Sequence, residues 1–594
     1  MVEWVGPADI NRPELALPVQ KIARLVGGMN RYSGPTAIVV FAGLVALVVL
    51  QLVGMVQRWR VGHRLDELVG RFDVDTAADR GHSEQADEGG CLVWALTDEP
   101  GTLNPLTRRV ISADWVVWRH IFEGLLDYDY DSIKLEPFLA ESYDLSKDGR
   151  QITFRLREGV HFSDGVPITA DDVIFTYETI INPGVDAAHL AGYYRDVERV
   201  EKLDDRTVRF VLKQPYWKSL EFMGLQDVGV LPRHVYRFED PSQFNKMRSE
   251  PVGSGPYVFE KWDVGREIVL RRNENYWGRK PRLRKIIFRI ITNEWAAIQA
   301  LRSGEVDFVR PLPEQFAELS QDKDFASRFW CLSYFTPKIP YFYIGWNNDS
   351  VFFEDRRVRL AMTHLIDREA IIEHLLRGQG RVTSGPFYIY GGQCDPNIKP
   401  WPYDPQRGKQ LLTEAGWVDT DGDGIRDKDG RPFKFRLMIR SDDVFYERLG
   451  KFIKESLAGA GVEVELERFE WSIFIERLLD HRFEAEISGW GGAVEEDPYQ
   501  LWHSSQIAGR GSNHVGFRNK QADELIERAR WILDEEQRNR LYHRLHAIIH
   551  NEQPYTFLYA RPEMRFLNRR FENVIVHKLD LNWLEWYVPK EKQR

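Results

Sequence analysis

The chain has 594 residues, 43% of them hydrophobic and 29% charged, which is ordinary globular composition and too long for a single hydrophobic core. The formal net charge is −10, and the basic residues are spread along the chain rather than gathered in runs. That excludes nucleic acid as the main partner, because phosphate binding needs a concentrated basic face.

From Thr36 to Val56 every residue is apolar or small except Gln51. A run of about 20 such residues spans a bilayer as a helix. A cleaved signal peptide would have a shorter apolar region followed by small residues, whereas here Gln57, Arg58, Trp59 and Arg60 follow. A retained transmembrane helix over 36–56 is therefore expected, behind a short cytoplasmic segment, 1–35. Flanking cations are near balance, with Lys21, Arg24 and Arg31 before the span and Arg58, Arg60, Arg64 and Arg71 after it, so they do not set the topology. Leu65, Leu68, Val69 and Phe72 recur at helical spacing and predict a juxtamembrane helix. Residues 73–90 then turn acidic and apolar-poor, as in a flexible tether.

A folded region begins near Cys91. Leu92-Val93-Trp94-Ala95-Leu96 reads as a buried strand, and Ile152, Phe154 and Leu156 alternate with polar residues as in a half-buried one. Asp164-Gly165 suits a hairpin turn. Thr169 and Asp172 have the spacing of a capping box ahead of Val173, Phe175 and Tyr177. Val208, Phe210 and Leu212 alternate again, Gly253-Ser254-Gly255-Pro256-Tyr257 is a tight glycine loop, and Ile268 and Leu270 begin another strand. Strand, helix and strand over Phe433–Leu466 predict a βαβ unit, so this region is α/β.

Three cysteines, Cys91, Cys331 and Cys394, have no metal-ligand spacing. An oxidising compartment would permit one disulfide, with Cys331 and Cys394 the candidate pair. Cys91 follows Glu88-Gly89-Gly90 with no apolar run before it, which argues against lipidation. Asp419, Asp421, Asp423 and Asp427 alternate around glycines like a calcium loop, but position twelve is Gly430 rather than a glutamate. His543, His546 and His550 share one helical face; apolar Leu541, Leu545, Ile548 and Ile549 mark the other as buried, so these imidazoles are expected to face solvent without a metal. There is no Walker loop, His-Glu-x-x-His or Gly-x-Ser-x-Gly pattern, so no enzyme, metal site or cofactor is predicted.

Several stretches, in order, resemble bacterial extracellular solute-binding protein family 5, the oligopeptide-, dipeptide- and nickel-binding components of ABC importers. They include Glu99–Pro105, Leu139–Tyr143, Phe162–Gly165, Thr169–Val173, Gly253–Tyr257, Asn275–Trp277, Ser303–Asp307, Asp355–Arg359 and Trp490 through Asp497-Pro498. The resemblance implies an α/β, two-lobed periplasmic binding protein-like fold with an inserted third domain. Lobe I would comprise 91–130, 204–308 and 560–594, the insert 131–203, and lobe II 309–559. It also implies capture of a peptide or similar solute between the lobes and delivery to ABC permease subunits. The soluble part would be a monomer outside the cytoplasm, tethered by the N-terminal helix. An anchored ligand sensor or peptide-binding chaperone is the alternative.

In peptide-binding members, a loop opened by a tryptophan carries an aspartate that pairs with the peptide amine. Here the loop is Trp490–Pro498, the expected aspartate position is Ala493, and the loop is one residue longer. Glu495 and Glu496 are the candidate replacements; otherwise they are solvated loop charges. Trp490, Tyr499 and Trp502 would wall the cleft or belong to the core. Trp346-Asn347 aligns with a strand end near the cleft, and Tyr257 is either a ligand contact or a core ring.

Overall fold

All five residues Leu92–Leu96 are buried in the strand Cys91–Leu96, and they divide by parity. Leu92, Trp94 and Leu96 enter one core, while Val93 and Ala95 enter another on the opposite face. Successive strand side chains point to opposite faces, so a continuous apolar run marks a strand covered on both sides. The computed structural model describes residues 87–594, apart from 109, 248–249, 339–340, 442–443 and 509–510. The span expected at 36–56 and the juxtamembrane helix lie outside the described residues. Among those described, no helix is long and apolar enough to cross a membrane.

Cys91–Leu96 is the central strand of a seven-stranded sheet ordered Phe329–Tyr334, Glu563–Asn568, Phe308–Val309, Cys91–Leu96, Lys285–Ile290, Glu267–Arg272, Tyr257–Asp263. It runs parallel to Phe308–Val309 and Lys285–Ile290. The carboxylate of Asp307, 0% exposed, binds these chain-distant pieces together. It accepts from the Val93 N–H at 3.0 Å, from Arg570 at 2.6 and 2.9 Å, and from Arg594 at 2.6 Å.

The second sheet, in the same lobe, is four-stranded and antiparallel: Ala140–Leu145, Gln151–Leu156, Thr207–Leu212, Val197–Asp204. Ile152, Phe154 and Leu156 are fully buried while Gln151 and Arg155 are exposed, as their alternation predicts. The helix Ala170–Ile181 starts at the expected capping box, where Asp172 accepts from the Thr169 N–H and hydroxyl at 2.9 and 3.0 Å. This insert shares one continuous core with the first sheet.

The other lobe holds a five-stranded sheet ordered Glu463–Phe469, Lys434–Arg440, Ala485–Trp490, Tyr341–Trp346, Tyr555–Tyr559. Lys434–Arg440, the helix Val444–Ala458 and Glu463–Phe469 form the predicted βαβ unit with parallel strands. The chain enters this lobe between Tyr334 and Tyr341 and leaves it between Tyr559 and Glu563. Two short connections therefore form the hinge.

Two seams differ from the sequence expectation. Strand Thr207–Leu212 belongs to the insert, because its partners are Gln151–Leu156 and Val197–Asp204. Strand Phe329–Tyr334 belongs to the first lobe, because Glu563–Asn568 pairs with it along its whole length. That partner lies more than 200 residues away, so local pattern carried no sign of it. The three cysteines are free. Cys331 packs on the first lobe's core and Cys394 on the second's, so the candidate pair is not bonded.

Two glycines in the 253–257 loop are required by close approach. A Cβ on Gly253 would lie 2.0 Å from the Ile121 carbonyl oxygen, and one on Gly255 2.3 Å from that of His120. Tyr257, 1% exposed, donates to the Leu283 carbonyl at 3.1 Å and packs edge-on against His120. It is a core ring of the first lobe, and its hydroxyl is used internally.

On the histidine face of the helix Glu535–Glu552, His546 and His550 are buried rather than solvated, because residues 384–401 cover them, while His543 is half-buried. His546, 0% exposed, lies 3.2 Å from the Ser384 hydroxyl and accepts from the Asp395 N–H at 3.2 Å. His550 meets the Ser384 carbonyl at 2.9 Å and stacks on Trp401 with centroids 5.1 Å apart. Burial lowers the pKa of His546 from 6.5 to about 4.

Two predictions follow from these contacts. Asp307→Asn leaves the buried Arg570 without its counter-charge and should destabilise the first lobe by about 3–5 kcal/mol, read by urea unfolding. His546 is neutral when folded, so its contribution is complete above its unfolded pKa and is lost as pH falls toward about 4. His577, whose pKa is raised by Glu585 and Asp131, works with the opposite sign, its contribution fading as pH rises. His546→Gln should therefore remove roughly 1–2 kcal/mol of the stability lost between pH 7 and pH 5, read as a flatter pH profile of the melting temperature.

Candidate ligand cleft

The loop after strand Ala485–Trp490 carries three consecutive acids, and each is placed differently. Glu495 forms an ion pair with Arg538 at 2.9 Å, and Asp497 pairs with Arg530 at 2.9 Å. Both arginines come from the helical segment behind the loop. Glu496 turns back on its own loop instead, its carboxylate accepting from the Ala493 N–H at 2.6 Å. Its backbone is held on both sides by the Gln393 amide, at 2.7 Å each. Among the described residues Glu496 has no cation within ion-pair distance. Burial raises the pKa of Glu496, with Lys218 opposing; burial also raises that of Glu495, with Arg538 opposing.

Three consecutive residues of the first lobe meet this loop and the segment behind it. The Tyr216 hydroxyl donates to Asp497 at 2.7 Å, the Trp217 N–H to the Arg530 carbonyl at 3.1 Å, and the Lys218 ammonium to the Glu495 carbonyl at 2.9 Å. Lys218, 4% exposed, also pairs with Glu221 at 3.1 Å, and the Tyr128 hydroxyl donates to Glu221 at 2.9 Å. Lobe II is tied to the hinge as well: the Gly492 N–H donates to the Lys338 carbonyl at 2.7 Å, while the Lys338 ammonium reaches Asp580 at 3.0 Å.

Glu496 lines a small enclosed cavity with Tyr341, Phe387, Trp490, Pro498 and Trp502. Trp490 is half-buried; its indole N–H donates to the Tyr555 hydroxyl at 3.3 Å and its ring stacks on His514. Trp502, 1% exposed, packs at 4.7 Å on Tyr555 beneath the cavity. Tyr499 does not line the cavity; its ring lies between Arg195 and Arg530 at 5.1 and 4.5 Å and its hydroxyl 3.1 Å from Ser505.

Trp346 and Asn347 are at the wrong end of their strand for this site. Tyr341 pairs with Trp490, whereas Trp346 pairs with Ala485, five residues or about 17 Å along the strand. Trp346 is fully buried and donates to the Thr556 hydroxyl at 3.0 Å; Asn347 donates to the Phe483 carbonyl at 2.7 Å and anchors a turn. Their neighbour Tyr341, at the opposite strand end, is the cavity residue. Tyr216, Lys218 and Glu221 were missed because they follow the insert in an irregular segment with no motif. The calcium-like loop brings carboxylates of Asp419, Asp421 and Asp423 within 4.8 Å of one another, all exposed. Asp419 already accepts from the Gly422 and Gly424 N–H groups at 2.8 and 3.1 Å.

A family model described as bacterial extracellular solute-binding proteins, family 5, matches residues 134–511. The oligopeptide-binding protein AppA of Bacillus subtilis is 32% identical over 515 residues, covering 85% of this chain and 92% of its own length. Its structure in complex with a nonapeptide superposes with a TM-score of 0.74, at 30% identity, over 85% of this chain and 100% of that one. The Helicobacter pylori periplasmic binding protein DppA, in complex with the peptide STSA, has a TM-score of 0.73 at 25% identity and covers 85% and 99%. With two α/β lobes joined by a double hinge, an insert in the first lobe and a family match across most of the described residues, the chain belongs to family 5 of the bacterial extracellular solute-binding proteins, which are binding proteins rather than enzymes.

Proposed function

We propose that this protein captures a peptide between its lobes, holds the peptide's α-ammonium on Glu496, and presents the closed complex to an ABC permease. The observation that carries this reading is the sorting of the loop acids. Glu495 and Asp497 are spent on Arg538 and Arg530, while Glu496 has no cationic partner and lines the cavity. A buried ammonium needs a carboxylate beside it, because desolvating an unpaired charge is prohibitive. The position that carries this aspartate in peptide-binding relatives is Ala493, and its backbone N–H is what orients Glu496. Extending the loop by one residue moves the carboxylate along the chain while returning it to the same mouth. Trp490 then forms an apolar wall, with Trp502 below. AppA is an oligopeptide-binding protein and the Helicobacter pylori DppA structure holds the peptide STSA, which supports the same solute class. The apolar run at 36–56 would hold the binding unit at the outer face of the membrane, next to the permease.

A melting experiment on the full-length protein in detergent, against a library of free peptides, tests this directly. Peptide at about 100 times its dissociation constant should stabilise the protein by roughly 2.7 kcal/mol. Glu496→Gln should weaken free-amine peptides by about 30-fold or more, as expected when one partner of a buried charge pair is removed. Glu495→Gln should instead lower stability, because Arg538, 4% exposed, loses its counter-ion. Affinity should also fall as pH drops through the raised pKa of Glu496, because a neutral carboxyl no longer pairs with an ammonium. Unchanged melting with every peptide in the library would overturn the proposal.

A further inference from the structure

The hydroxyl of Tyr341 is an unused polar group in the ligand cavity. The residue is 1% exposed, yet its hydroxyl has no hydrogen-bond partner among the described residues. Three tyrosines of the cleft and hinge use theirs, Tyr216 on Asp497, Tyr128 on Glu221 and Tyr334 on Asp580, whereas buried Tyr542, which does not line the cavity, is unpaired like Tyr341. Leaving a buried hydroxyl unpaired is costly, and a phenylalanine would fill the same space without that cost. The register of the sheet places Tyr341 directly opposite Trp490, and both line the cavity that contains Glu496. The cavity measures about 10 Å³, room for one water-sized group. Asp497, already paired with Arg530, also lines it, and the remaining side-chain walls, Phe387, Pro498 and Trp502 among them, are apolar.

One water-sized hole, one carboxylate without a cationic partner, one hydroxyl oxygen able to accept and an aromatic wall match the demands of a bare ammonium. Such a head has three donors and a positive charge, and it gains from aromatic faces. A neutral acylated nitrogen brings one donor, no charge and three additional heavy atoms. We propose that Tyr341 is a specificity-determining contact for the ammonium head of the solute, and that the Tyr341–Glu496 cavity admits an unsubstituted –NH3+ and refuses an N-acylated terminus. The inference rests on the reading of Glu496 as the amine partner, and it adds a second residue and a selection rule to it.

The test uses the full-length protein, a random pentapeptide library with free amines, and the same library N-acetylated. Wild type should bind the free library and be insensitive to the acetylated one. Tyr341→Phe should melt, without peptide, at or above the wild-type temperature, because the unpaired hydroxyl is gone. Its affinity for the free library should nevertheless fall about tenfold. A purely structural tyrosine would not give stability and affinity changes of opposite sign. Equal binding of both libraries by wild type would overturn the selection rule. Wild-type affinity in Tyr341→Phe would overturn the contact while leaving Glu496 as the amine partner. Failure of wild type to bind either library would remove the peptide reading and this inference with it.

Discussion

The carboxylate of Asp307 is the point on which the first lobe is assembled. The lobe's sheet is built from pieces near residues 91, 308, 330 and 565, which no local interaction could bring together. Asp307 ends the turn before one short strand, takes the N–H of Val93 from the next, and binds Arg570 beyond the C-terminal strand. Arg570 in turn donates to the Cys91 carbonyl at 2.7 Å, so the start of the folded region and its end are fixed through one guanidinium. The carboxylate makes four charge-assisted or backbone hydrogen bonds in a fully buried position, the condition under which a buried charge is tolerated. Because the C-terminal strand lies between Phe308–Val309 and Phe329–Tyr334, the chain must visit the second lobe and return before the first is complete. The two hinge connections follow from that topology.

Across the cleft the coupling is equally concentrated. Residues 216–218 provide three hydrogen bonds in succession to the segments around Asp497 and Arg530. They rise from the shared core of the insert and the first lobe, which is rigid enough to place them. On the other side, the Trp490 loop is fixed to the hinge through Lys338 and to the lobe through Gln393. The loop that holds Glu496 is thus positioned by three separate parts of the molecule. Lobe closure and site geometry are two descriptions of one set of contacts, which is the arrangement in which a ligand selects the closed state.

The parts legible in the sequence were those encoded locally or by ordered motifs. Alternation at Ile152, Phe154 and Leu156, the Thr169–Asp172 cap and the βαβ unit from 433 to 466 all appear where the residues require them. Trp490 and the acids after it could be singled out as a candidate ligand loop, but not which acid lacks a cationic partner. That depended on Arg530 and Arg538, which reach Asp497 and Glu495 from a different segment. The histidine face of the 535–552 helix was misread for a related reason: a segment 150 residues earlier covers it, and helical periodicity describes only one neighbour at a time. Trp346-Asn347 shows the limit of a strand assignment. The strand was right, and the end that meets the cleft is decided by its register against Ala485–Trp490.

The charges around the cavity have a direction that follows from this division. Lys218 neutralises Glu221 and reaches a loop carbonyl, so its ammonium is committed to the first-lobe wall and to the loop backbone. It lowers the pKa of Glu496 electrostatically without occupying the carboxylate. Lys218 thus opposes the upward shift that burial imposes on Glu496. Were Lys218 to pair directly with Glu496, the site would be self-satisfied and a solute ammonium would have to displace it. The i,i+3 spacing of Lys218 and Glu221 on one short helical turn prevents this. The Lys218–Glu221 ion pair thus leaves Glu496 without a cationic partner, the condition on which the proposed amine contact depends.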